Sequence, residues 1–193
     1  MVCWCISGQQ APNERKRENR IETEDNIKIA EELKIMEEMD MEHANGKTDV
    51  ITLANELFTM ATLFKEFNEA RLEGSAGKRT QRMEAFFQAL DHWLEKGRRA
   101  ASKEQKEGFK KAYENSLKSC EDALRAEGVT DFTIKDDDSN SKKFYKASIR
   151  FTNAETLMMD AINDAQREDA YKLASRIKDE LKGYMRSMEH DEL

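Results

Sequence analysis

Apolar residues recur along this chain at intervals of three and four, the spacing that lines one face of an α-helix. Between residues 49 and 72 the stripe reads Val50, Leu53, Leu57, Ala61, Phe64 and Phe67. Ile51, Phe58, Met60 and Leu63 widen it until most of the circumference is apolar, so this helix is expected to sit centrally, packed on several sides. Residues 79–100 repeat the pattern with Met83, Phe86, Phe87, Leu90, Trp93 and Leu94. A further helix begins at Ser102-x-x-Gln105, a capping box in which each side chain satisfies a free amide of the first turn. Its stripe is Phe109, Ala112, Tyr113, Leu117, Cys120 and Leu124, and Gly128 is placed to end it. Phe144, Ala147, Phe151, Ala154, Met158 and Ala161 form the next stripe; Ala170, Leu173, Ala174, Ile177, Leu181, Tyr184 and Met188 form the last, over residues 167–188. Upstream, Ile29, Leu33 and Met36, broadened by Ile27, Ile35, Met39 and Met41, predict a helix over residues 22–43 that stops at Asn45-Gly46.

The breaks complete the picture. Gly74-Ser75-Ala76-Gly77 interrupts the chain, and residues 128–142 form the longest non-helical stretch of the body. There Phe132 and Ile134 are expected to fold back onto the helices, with Asp136 to Ser141 exposed. The apolar phase shifts between Asn163 and Glu168, which predicts a tight turn between antiparallel helices; one long helix with a register slip is the alternative. The fold class is therefore all-α: an antiparallel bundle of about six helices, since short connections set neighbours antiparallel. Residues 1–20 lack periodicity and are read as a flexible tail, 21–45 as an acidic amphipathic helix, and 48–190 as the helical bundle domain. The single proline, Pro12, lies in that tail and leaves the helices uninterrupted.

Charge divides the chain in the same places. The net charge is −7. Within residues 1–20, Arg15, Lys16, Arg17 and Arg20 outweigh Glu14 and Glu18, whereas residues 21–45 hold nine acids against Lys28 and Lys34. Such blocks mark solvated faces or partner surfaces. A second basic group, Lys96, Arg98, Arg99, Lys103, Lys106, Lys110 and Lys111, gathers around the turn near residue 100 and is a candidate anion patch for phospholipid or nucleic acid. Glu95, Glu104 and Glu107 are interspersed, so ion pairs along the helix surface account for it as well, and nucleic acid is the less favoured partner.

Catalytic and metal signatures are sparse. None of His43, His92 and His190 has the H-E-x-x-H or E-x-x-H setting of a helical metal site. Gly77-Lys78-Arg79-Thr80 lacks both the Ser or Thr after lysine and the upstream glycine of a phosphate loop, since Leu72 stands there. A calcium loop starting at Asp136 would need glycine sixth and glutamate twelfth, where Ser141 and Ala147 stand. Cys120 falls on an apolar face and is assigned to the core. No catalytic residue, metal ligand or cofactor is expected.

The opening MVCWC raises a different chemistry. Three cysteines (Cys3, Cys5, Cys120) make no disulfide framework and fit a reducing compartment. Cys3 and Cys5 could each carry an acyl chain, Trp4 suits the headgroup interface, and Arg15, Lys16, Arg17 and Arg20 would favour an anionic inner leaflet. Val2 excludes myristoylation, no apolar run is long enough to span a bilayer, and the apolar stretch at residues 2–6 is too short for a signal peptide. The terminal HDEL is accordingly read as coincidental, and the expected location is cytoplasmic, peripheral at a membrane if the cysteines are acylated.

Two stretches, KKFYKASIRFTNAETLMMDAI and EDAYKLASRIKDEL, resemble the end of the helical N-terminal region of cofactors of the ESCRT-disassembly ATPase, which pair a helix opening on an aromatic dipeptide with a second amphipathic helix. The resemblance implies a helical adaptor; the N-terminal tail and acidic helix depart from that pattern. The expected function is thus that of a non-enzymatic interaction protein — adaptor, regulator or scaffold — recognising partner proteins through amphipathic helix surfaces. Ten methionines, Met36, Met39, Met41, Met158 and Met159 among them, could make such a surface adaptable.

Overall fold

A computed structural model describes residues 50–188. It contains five helices: α1 (Val50–Leu72), α2 (Ala76–Arg99), α3 (Lys103–Ala126), α4 (Asn140–Asp160) and α5 (Asp164–Met188). Among the described residues there is no strand. The tail at 1–20 and the acidic helix at 21–45, the sixth of the expected set, lie outside the described residues.

The helix ends follow local chemistry. Gly74 and Gly128 both take positive φ, 71° and 76°. In each case the following amide reaches back to the last turn, Ser75 N to Ala70 O at 3.0 Å and Val129 N to Leu124 O at 3.0 Å, closing the helix with a left-handed residue. Ser102 and Gln105 form the expected capping box at the start of α3. Ser139 Oγ accepts from Lys142 N at the start of α4. At the α4–α5 turn, Asn163 Oδ1 accepts from Gln166 N (2.9 Å) while Gln166 Oε1 accepts from Ile162 N (3.1 Å). That reciprocal cap breaks residues 144–188 into a hairpin rather than one long helix. It also starts α5 at Asp164, ahead of the expected residue 167, because the cap rather than the apolar stripe sets the first turn.

Three helix pairs carry most of the packing: α4 with α5, α1 with α2, and α3 with α4. Across α1–α2, Glu56 meets Lys96 at one end and Glu66 meets Arg82 at the other, so the two helices run in opposite directions. The sequential pair α2–α3 departs from the expectation for short connections. These helices do not pack closely along their lengths, and α3 instead lies on α4 and α1. Ala100 and Ser102 are both extended, which sends α3 away from the path that α2 would retrace. Side chains still join them: Trp93 meets Phe109 and Tyr113 edge-on, with ring centroids 5.2 and 6.0 Å apart.

All three of those rings are buried, as are Leu53, Leu63, Phe67, Leu94 and Leu124. Burying each such side chain contributes roughly 1.5–3 kcal/mol. A second aromatic group crosses from α1 and α2 to α4, with Phe64 stacked on Phe144 at 4.8 Å and Phe86 tilted against both.

Gly97 permits the close approach at this end of the core. A Cβ there would sit 2.7 Å from the Tyr113 hydroxyl and 3.0 Å from Met158 Cε. Tyr113 cannot swing aside, being wedged between Trp93 and Phe109. Alanine would add up to about 1 kcal/mol of helix propensity, but overpacking a tight core costs about 1–3 kcal/mol. Gly97→Ala is therefore expected to lower stability in chemical denaturation. Adding Tyr113→Phe should recover most of the loss, because it removes the clashing oxygen. Recovery is the informative part: no rescue would place the strain elsewhere.

Candidate functional site

Several charged side chains lie where the sequence pattern puts only apolar ones. Glu56 (0% exposed) and Lys96 (3%) form a buried ion pair between α1 and α2. Arg82, also buried, meets Glu66 at 3.1 Å. Lys146 is buried on α4, where its Nζ donates to Thr133 O (2.8 Å) and to both Asp138 oxygens (2.8 and 3.0 Å). That hydrogen bond holds the Asp138 carboxyl below its ordinary range. Asp138 is thus no solvated loop acid, as residues 136–141 had suggested; it anchors the 128–139 loop to α4. Asp131 is drawn down to about 2, chiefly by the hydrogen bond from Thr133 N, and its role is likewise local. Each of these groups has its counter-charge, and they read as structural.

Glu155 differs. It is 2% exposed, and burial pushes its carboxyl well above the ordinary glutamate range. The Trp93 side chain hydrogen-bonds the carboxyl and offsets only part of that burial. Its Oε1 has no hydrogen-bond partner among the described residues. Such surroundings favour the protonated form, a hydrogen-bond donor without charge.

Glu155 lies in the wall of a pocket of about 210 Å³ bounded by all five helices. Leu57, Met60 and Phe64 come from α1, Phe86, Leu90 and Trp93 from α2, Phe144 and Phe151 from α4, and Leu181 from α5. The polar part is a set of small side chains: Ser116, Ser119 and Cys120 on α3, with Ser148, Thr152 and Glu155 spaced along one face of α4. Ser148 spends its hydroxyl on Phe144 O at 2.9 Å. The mouth is marked by exposed Ala61 and Ser119, whereas Trp93, Phe151 and Glu155 are buried. Cys120, assigned from the sequence to the core, is instead half-buried on this wall; burial pushes its thiol up to about 11, which leaves it protonated and a poor nucleophile.

The candidate anion patch is only partly a surface. Lys96 is withdrawn from it, since its ammonium is buried against Glu56 and inaccessible to a ligand. Arg98 bonds Glu168 at 3.0 Å and lies 4.5 Å over the Tyr171 ring; Arg99 bonds Glu95 at 3.0 Å. Lys110 pairs with Asp160 at 2.6 Å. Lys103, Lys106 and Lys111 make no ion pair among the described residues. The Lys110–Asp160 bridge brings their segment of α3 beside the end of α4, where Leu157 and Ile162 are 57% and 86% exposed. Cys3, Trp4, Cys5, Arg15, Lys16, Arg17 and Arg20 lie outside the described residues, as does the acidic helix. No described helix is long and apolar enough to cross a membrane.

Fold and site together define an all-α protein with an apolar interhelical pocket and a single buried acid in its wall. Comparison of the chain with protein-family models, with curated proteins and with solved structures returns no match.

Proposed function

We propose that this chain is a non-enzymatic helical interaction protein that docks a partner protein bearing an acidic amphipathic helix. The observation that carries the reading is the patch at the α3–α4 end. Lys103, Lys106 and Lys111 make no ion pair among the described residues, and Leu157 and Ile162 stand out into solvent at the end of α4 that the Lys110–Asp160 bridge brings beside α3. Exposed aliphatic anchors beside a lysine-bearing turn of helix suit a helix with an apolar stripe and acidic flanks. The anchors would supply most of the affinity and the lysines the encounter rate and salt dependence.

Affinity capture with the full chain tests this. Wild type is compared with a Leu157→Glu/Ile162→Glu variant and with a Lys103→Glu/Lys106→Glu/Lys111→Glu variant, after circular dichroism has verified that both fold. At least one protein held by wild type should be lost by both variants, and its isolated binding should weaken about tenfold or more. An unchanged set of captured proteins across all three chains would reject this surface.

A further inference from the structure

We propose that the pocket bounded by the five helices is a binding site for a neutral, largely aromatic small molecule carrying one hydrogen-bond acceptor, which Glu155 engages. This does not rest on the docking surface, which lies elsewhere on the molecule.

Three observations converge on it. The first is size. An apolar cavity of about 150 Å³ takes up benzene, so about 210 Å³ accommodates one ring with a short substituent. The second is the lining. Phe64, Phe86, Trp93 and Phe144 offer ring faces and edges from three helices, matching an aromatic guest. The third is the acid. Glu155 is buried beside Trp93 with Oε1 lacking a partner among the described residues, and an unmet buried polar atom is costly unless something satisfies it. Few, well-placed polar groups in an apolar cleft are the usual makeup of a small-molecule site.

The charge of the guest follows from the same residues. No lysine, arginine or histidine lines the pocket, so an anion would meet no counter-charge and would face a carboxyl group. A cation would have to ionise Glu155 and bury the resulting pair among rings, at a desolvation cost that attraction only partly offsets. A neutral acceptor needs neither. It takes the proton of the un-ionised carboxyl as a hydrogen bond, with no change of charge. The other titratable groups on the wall, Cys120 and Tyr145, are both pushed up by burial and stay neutral as well.

The test uses the full chain and four probes of one size: acetophenone, isopropylbenzene, benzylamine and benzoate. Calorimetric titration is expected to show acetophenone binding about tenfold more tightly than isopropylbenzene, the difference one hydrogen bond makes. Glu155→Leu should erase that preference while still binding the hydrocarbon, and Glu155→Gln, which retains a donor, should keep it. Ala61→Phe, placed at the mouth, should abolish binding of both, so a misfolded Glu155→Leu would not end the test. Equal affinities for acetophenone and isopropylbenzene in wild type would overturn the role of Glu155. Tightest binding of benzylamine or benzoate would overturn the neutral guest, and no binding of any probe would overturn the site.

Discussion

Replacing Lys96 with methionine is expected to destabilise the protein by about 3–5 kcal/mol, the usual cost of removing one partner from a buried ion pair. Methionine fills much the same volume, so little of that comes from a cavity. The loss arises because Glu56, fully buried on α1, is deprived of the ammonium that α2 supplies. Glu56→Leu should be similarly damaging for the converse reason. The double variant Glu56→Leu/Lys96→Met should return most of the loss, since replacing both members of a buried pair with apolar groups is often neutral or stabilising. Urea denaturation of the four chains gives the cycle directly. Additive losses in the double variant would mean that the two side chains act through separate contacts.

Glu155→Gln is expected to stabilise the protein at neutral and alkaline pH, by an amount that grows with pH. The sign follows from the direction of the shift. Burial raises the folded-state carboxyl far above its ordinary value of 4.5, so above that pH the unfolded chain ionises while the folded one keeps its proton. Folding then binds a proton, and stability falls as pH rises, by up to about 1.4 kcal/mol per unit for one group, until the folded carboxyl itself ionises. Glutamine has no such dependence and preserves the hydrogen bond with Trp93. Asp131 and Asp138 act oppositely: their lowered values add stability above their unfolded range, and it is lost as pH falls through their folded values. They are common to both chains and cancel in the difference. Wild type and Glu155→Gln should therefore be close at pH 4 and diverge as the pH rises above the ordinary glutamate range. A difference independent of pH would show that the carboxyl is ionised in the folded state.

Both predictions rest on residues that the hydrophobic pattern passes over. Glu56 falls between Leu53 and Met60, and Glu155 one turn beyond Phe151, so each interrupts an apolar face at a position that can be read from the chain alone. Their consequences cannot. The partner of Glu56 is 40 positions away on another helix, and nothing in the spacing of Lys96 separates it from Arg98 and Arg99, which stay at the surface. The pocket is harder still to foresee, because its wall is assembled from single turns of five helices. Cys120 illustrates the limit: its place on an apolar face was legible, but whether that face meets a neighbour or a void depends on where α1 and α4 lie relative to α3.

By itself the sequence determined the helices and most of their ends over the described residues, though not the starts of α2 at Ala76, inside the expected Gly74–Gly77 break, and of α5 at Asp164. Three-to-four periodicity, the Ser102–Gln105 box and the glycines at 74 and 128 are local, and local backbone energetics suffice to place them. Only the tertiary structure decided that α3 leaves α2 to lie on α4 and α1, that Lys96 and Lys146 turn inward, and that Glu155 faces a pocket rather than a packed core. Those outcomes depend on the distances between side chains far apart in the chain, and burial acts on such distances, not on sequence spacing.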